Sequence, residues 1–186
     1  MDQESINALY GPIKPSVWQQ AQQIKLLICD IDGVFSDGRI YLGNQGEELK
    51  CFHTRDGFGV KALLRHGIEV AVITGRNSKI VESRMKNLNV QYIFQGYDNK
   101  ESAYNELRQK TGVSTNQTAY IGDDVVDLAV MRQVGLSIAV ADAHPLVVQH
   151  ADYQTHICGG YGAVREVCDI LLQAQGGIDD FQGTSL

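Results

Sequence analysis

The sequence predicts an α/β fold, a single parallel β-sheet with helices on both of its faces. Three observations carry that reading. Apolar blocks of four to six residues recur along the chain, too short for helices and continuous enough for strands buried on both faces. Each block is separated from the next by a stretch of helical length, the alternation that builds parallel sheets. Glycine and asparagine stand where those helices need to stop and start.

A polar lead, residues 1–23, contains Pro12 and Pro15. The first strand is Ile24 to Cys29, ending in Asp30. Arg39 to Leu42 and Glu48 to Phe52 break the alternation; they flank Gly43-Asn44-Gln45-Gly46 and read as a small inserted β-hairpin, residues 39–52. Gly67 ends a helix through Val60 to His66, where a left-handed residue is wanted, and a second strand follows at Ile68 to Ile73. Asn77 is placed to cap the next helix, before a third strand at Val90 to Phe94. Asn99 caps a helix over Lys100 to Thr111 that Gly112 ends. Thr118 to Ile121 and Leu136 to Val140 are the fourth and fifth strands, and an amphipathic helix from Ala163 to Gln173 closes a domain spanning 24–175. The tail, 176–186, is Gly-rich and polar, expected to be mobile unless a partner orders it, with Ile178 and Phe181 as its apolar anchors.

A chain of 186 residues, 44% hydrophobic and 20% charged, suits one domain with one core. Its net charge of −6 and the lack of any basic stripe exclude nucleic acid as a partner. The acidic start, Met1-Asp2-Gln3-Glu4, is unlike a signal peptide, and no apolar run approaches the roughly 20 residues that span a bilayer, so a cytoplasmic protein with no membrane association is expected. Cys29, Cys51, Cys158 and Cys168 have neither disulfide nor zinc spacing and read as reduced, mostly buried thiols.

In an open parallel sheet, ligands bind beyond the carboxyl ends of the strands. The residues there are Asp30-Ile31-Asp32-Gly33, Thr74-Gly75-Arg76, the loop leading to Lys100, and Gly122-Asp123-Asp124 with Asp127 behind. Two like charges 4 Å apart repel by about 4 kcal/mol at an effective dielectric near 20, and Lys100 alone does not offset five carboxylates. A hard divalent cation does, and an all-oxygen set points to Mg²⁺ rather than zinc.

These four segments, D-x-D-G, the strand-end Thr74, Lys100 and G-D-D-x-x-D, resemble in order the signatures of the haloacid dehalogenase-like phosphatases, whose domain has a Rossmann-like sheet. The resemblance runs from about Ile24 to Gln173. It implies that Asp30 attacks phosphorus, that Asp32 protonates the leaving group and later activates water, and that Thr74 and Lys100 cradle the phosphoryl oxygens. The metal would be held by Asp30, Asp123 and the backbone carbonyl of Asp32. Asp124 or Asp127 would orient Lys100, and Asp127 stays outside the catalytic set. Neither gap that holds a lid domain in many relatives has room for one here, so this is a capless member, with an open site that implies an oligomer.

The wording Asp30 to Gly38, His53-Thr54-Arg55-Asp56-Gly57 and Ile73-Thr74-Gly75-Arg76 resembles one branch of that family. These are tetrameric enzymes that dephosphorylate the sugar acid of Gram-negative lipopolysaccharide, with hairpins at the centre and substrate where subunits meet. That implies a phosphorylated sugar acid as substrate, a homotetramer, and contacts from Asp32, His53, Thr54, Arg55, Asp56, Gly57, Lys61, Arg76, Arg84 and Lys100. Arginine forks suit a carboxylate, with Arg76 the nearest to Thr74 and Arg84, about 10 Å into its helix, placed to serve a neighbouring subunit. The competing readings are a phosphatase of another sugar acid phosphate, a nine-carbon one, and a non-catalytic tetramerisation module; retention of Asp30, Asp32, Thr74, Lys100 and Asp123 argues against the second.

Overall fold

The structure is a computed structural model that describes residues 6–181. Strand β3 (Leu26–Cys29) lies at the centre of a six-stranded sheet, and all four of its residues are fully enclosed. The other strands are β6 (Glu69–Thr74), β7 (Tyr92–Gln95), β8 (Thr118–Gly122), β9 (Leu136–Ala139) and β10 (Tyr153–Gln154), and the spatial order is β10-β9-β8-β3-β6-β7, every pair parallel. From β3 the chain runs outward through β6 and β7, then returns to β8 on the other side. The order therefore reverses between β3 and β8, which opens a crevice at their carboxyl ends.

Successive side chains of a strand face opposite sides, and the core divides accordingly. Leu27 and Cys29 join Val70, Val72, Ala119 and Ile121 under α1 (Pro15–Ala21), α2 (Thr54–His66), α3 (Lys79–Asn87) and α7 (Ala163–Ala174). Leu26 and Ile28 join Ala71, Ile73 and Tyr120 under α4 (Lys100–Thr111), α5 (Leu128–Met131) and α6 (Pro145–His150). Helices thus cover both faces, as the continuous apolar blocks require.

The five sequence-read strands are all present, shifted by one or two residues at their ends, and β10 adds a sixth. Gly67 and Gly112 close α2 and α4 with φ of 92° and 68°. Asn99 caps α4, but Asn77 does not cap α3. The cap position is Ser78, whose N–H is taken by Gln95 Oε1 at 2.8 Å. The inserted hairpin is smaller than read: β4 (Tyr41–Leu42) pairs antiparallel with β5 (Glu48–Leu49). Within the lead, β1 (Ile6–Ala8) and β2 (Gly11–Ile13) form a hairpin, and Pro15 starts α1 at the first helical position, where a missing N–H costs nothing. Only Cys29 and Cys168 are buried; Cys51 and Cys158 are exposed, a correction to the expected burial, and all four are free. At the other end, Ile178–Phe181 form a 3₁₀ turn, and Ile178 and Phe181 pack on the chain's own core. The last five residues of the tail lie outside the described residues. No helix among the described residues is long and apolar enough to cross a membrane.

Candidate active site

The loop after β3 is built from backbone. The Asp30 N–H donates to Ile121 O at 3.1 Å, which continues the β3–β8 register and sets Asp30 beside Gly122-Asp123. Ile31 O then accepts the N–H groups of Val34, Phe35 and Ser36 at 3.3, 3.0 and 3.0 Å, a turn that returns the chain at once. Gly33 has φ of 96°, and a Cβ there would overlap the Asp123 carboxylate. From the outer side, the segment before α7 closes in: Gly160 N–H donates to Val34 O at 2.9 Å, and a Cβ on Gly159 or Gly160 would overlap the main chain of Gly33 or of Ser36 and Asp37.

Lys100, the first residue of α4, is 5% exposed, and its ammonium lies 2.7 Å from Asp30 Oδ1 and 2.7 Å from Asp127 Oδ1. Asp127 is fully buried. Its Oδ1 also accepts Tyr120 OH at 2.6 Å, and its Oδ2 accepts the N–H groups of Asp123 and Asp124 at 3.0 and 3.2 Å. One carboxylate thus fixes the lysine and the loop bearing Asp123. Of the two acids considered for orienting Lys100, Asp127 makes the contact, whereas Asp124 Oδ1 caps Val125 N–H at 2.7 Å. Thr74, at the end of β6, is 2% exposed, and its Oγ1 accepts the Arg76 N–H at 3.4 Å.

Carboxylate oxygens of Asp30, Asp123 and Asp127 approach within 4.8 Å of one another. Asp127 has four donors on its two oxygens and no lone pair to spare. Asp30 and Asp123 are different. Asp123 Oδ1 is buried with no hydrogen-bond partner, a costly state for an anion. Burial, then the neighbouring charges of Asp30 and Asp127, push the Asp123 carboxyl up to about 8. Burial also lifts Asp30 to about 6, against the pull of Lys100. Two desolvated oxygen donors from separate strands, one of them unpartnered, fit a hard cation.

An open pocket of about 290 Å³ is lined by Asp30, Asp32, Thr74, Gly75, Arg76, Tyr97, Asp98, Lys100, Asp123, Asp124 and Val126. It gathers Asp30, Asp32, Thr74, Arg76, Lys100 and Asp123 of the sequence-read set. The others lie outside its lining. His53 caps α2, its Nδ1 accepting the Arg55 N–H at 3.2 Å, with Thr54 and Arg55 in the first turn. Asp56 is 1% exposed, accepts the Arg165 N–H at 2.8 Å and is pushed by burial up to about 6. Gly57 packs under the Arg84 guanidinium, which a Cβ there would displace. Lys61 lies one turn further along α2. Several residues were missed. Lys50 reaches back from the hairpin to pair with Asp32, and Tyr97, Asp98 and Val126 complete the lining. The alternation of Glu48, Leu49 and Lys50 held the signal for the lysine, and the Gly159-Gly160-Tyr161-Gly162 cluster held the one for the outer clamp.

Comparison with known proteins identifies the family. Residues 93–158 match the family model described as haloacid dehalogenase-like hydrolase. The chain is 53% identical over 182 residues, 98% of its length and 97% of the relative's, to 3-deoxy-D-manno-octulosonate 8-phosphate phosphatase of Salmonella typhimurium. The crystal structure of the Yersinia pestis phosphatase of that name superposes with a TM-score of 0.94 at 52% identity, covering 96% of each chain. The Moraxella catarrhalis phosphatase, solved in complex with a magnesium ion, a phosphate ion and a KDO molecule, gives 0.87 at 43% identity over 89% of this chain and 95% of that one. The chain belongs to the family of 3-deoxy-D-manno-octulosonate 8-phosphate phosphatases.

Proposed function

We propose that this protein hydrolyses 3-deoxy-D-manno-octulosonate 8-phosphate to KDO and phosphate, with Mg²⁺, as a step of lipopolysaccharide synthesis in the cytoplasm. The observation that carries the reading is the Lys100 ammonium on Asp30, beside a buried Asp123 oxygen that has no partner, at the one reversal of strand order.

Asp30 is the nucleophile. Its carboxylate attacks phosphorus, the phosphoester oxygen departs, and an aspartyl-phosphate forms; water then hydrolyses it, so that one very slow reaction becomes two faster steps. Asp32 protonates the departing alkoxide and later takes the proton of the attacking water. Lys100 and Thr74 donate to phosphoryl oxygens, where charge is spread in the transition state. Asp30, Asp123 and the Asp32 carbonyl would hold Mg²⁺, which when bound would neutralise the charge shared by nucleophile and phosphate. At the sugar end Arg76 is in the pocket, and His53, Thr54, Arg55 and Lys61 of α2 with Arg84 in the last turn of α3 would serve the sugar acid, in part across a subunit boundary, while the buried Asp56 and Gly57 shape the start of α2 rather than touch the sugar. Support for a homotetramer comes from the hairpin, which exposes Ile40, Tyr41, Leu42 and Leu49 at 51, 42, 73 and 65%.

The test is phosphate release from a panel of sugar acid phosphates, with sedimentation of the same sample. Activity should require Mg²⁺, favour the eight-carbon substrate over nine-carbon ones, and accompany a four-copy particle. Metal-independent release would sink the reading.

The site also fixes a dependence on pH. An Asp123 carboxyl raised to about 8 keeps its proton in the metal-free fold while the unfolded chain, near 3.8, has lost it, so stability falls as pH rises through that window. Asp123 would have to give up that proton to hold Mg²⁺. The affinity for Mg²⁺ should therefore rise about tenfold per pH unit between about pH 6 and 8. Thermal melts with Mg²⁺ and with a chelator should separate further at pH 8 than at 6; equal separation would contradict the assignment of Asp123.

A further inference from the structure

A second lysine is enclosed behind Asp32, next to the pocket, and the steps above do not use it. Lys50 follows β5, whose alternation turns Leu49 to solvent and sends Glu48 and Lys50 the other way. The Lys50 side chain is 1% exposed. Its ammonium pairs with Asp32 and lies 3.5 Å from Glu48 Oε1, while Glu48 Oε2 accepts from Arg76 Nη2 at 3.2 Å. Charges of alternating sign therefore run from Asp32 through Lys50 and Glu48 to Arg76, and the two end members both line the pocket.

An ammonium stripped of water is costly to keep unless its partners hold it. This one extends from a hairpin that is otherwise largely exposed, so packing in the core is not its reason for enclosure. Asp32 has a fixed backbone, in the turn that closes on Ile31 O, but its side chain is 24% exposed. Lys50 is its ion-pair partner among the described residues.

We propose that Lys50 is a positioning residue for leaving-group protonation: it holds the Asp32 carboxyl on the side of the pocket from which the sugar oxygen departs, and Glu48, anchored by Arg76, holds Lys50. This rests on the reading of Asp32 as the proton donor. A displacement of about 1 Å in such a group costs about 10²-fold in rate. The loss depends on the leaving group, because an alkoxide needs a proton as it departs and a nitrophenolate does not.

The experiment compares kcat/KM, which reports only the steps through leaving-group departure, for a sugar acid phosphate and for p-nitrophenyl phosphate. Lys50→Met should lose about 30- to 100-fold on the sugar phosphate and stay within about threefold on the aryl ester. Lys50→Arg, which keeps the ion pair, should recover most of the loss, and Glu48→Gln should show the same selectivity at smaller amplitude. Asp32→Asn is measured alongside: if its loss is not selective for the sugar phosphate, the reading of Asp32 fails. If Asp32→Asn is selective while Lys50→Met lowers both substrates equally, or neither, the role of Lys50 is overturned. Should Lys50→Met not fold, an unchanged substrate ratio in Glu48→Gln overturns it instead.

Discussion

Asp30→Asn is expected to remove at least about 10⁴ of turnover while leaving the protein folded. The amide has the shape of the carboxylate but cannot form an acyl phosphate by simple attack, and Asp32, two residues on, is held by its own turn and does not substitute. Stability should change little. Burial acts against the charged form of Asp30, so neutralising it relieves a desolvation cost, and Lys100 keeps its contact with Asp127 at 2.7 Å. The separation between melts with Mg²⁺ and with chelator should shrink, since one of two carboxylate donors is gone. Phosphate release and thermal melts on the same preparation check all three outcomes. Retention of more than about 1% of turnover would show that the nucleophile lies elsewhere.

The second large effect belongs to Asp127, which the mechanism never brings into contact with substrate. Asp127→Ala leaves Lys100, Tyr120 and the N–H groups of Asp123 and Asp124 facing a buried void, three elements having lost their common acceptor. Removing one partner from a buried charged network costs about 3–5 kcal/mol. For a chain of this length that corresponds to a fall of roughly 6–20 °C in Tm. Turnover should fall as well, by more than about 10²-fold, because both the cradle lysine and the Asp123 loop lose their register. A melting point within about 2 °C of the parent would mean that the four contacts are not coupled.

How much of this was readable from residues alone depended on how local each signal was. The five strands were legible because a strand covered on both faces must be apolar throughout, and Leu26 to Cys29 shows that without help from any distant residue. The two glycine helix ends were legible for a similar reason, since each depends on its own φ. The lead hairpin was not, because strands of three residues leave too little period to detect. At the site, Asp30, Asp32, Thr74, Lys100 and Asp123 were found by position at strand ends. Asp127 was under-read because its weight comes from four donors that converge only in three dimensions. Lys50 escaped for the opposite reason: its pattern was local, but the hairpin was read as an insertion and not as a strand with one face toward the crevice. The sugar-acid contacts were expected from the resemblance alone, and of that set the pocket of this chain is lined by Asp32, Arg76 and Lys100.

The contact of Gly159 and Gly160 with the turn that follows β3 sets a limit on how this site can change. Main chain rests there on main chain, with no side chain between that could be exchanged for a larger or smaller one. Variation at this turn is therefore closed off from two directions, by the glycines outside and by Asp123 against Gly33 within. Change is left to places where side chains still have freedom, such as the exposed hairpin, so that the turn can stay constant while its surroundings diversify.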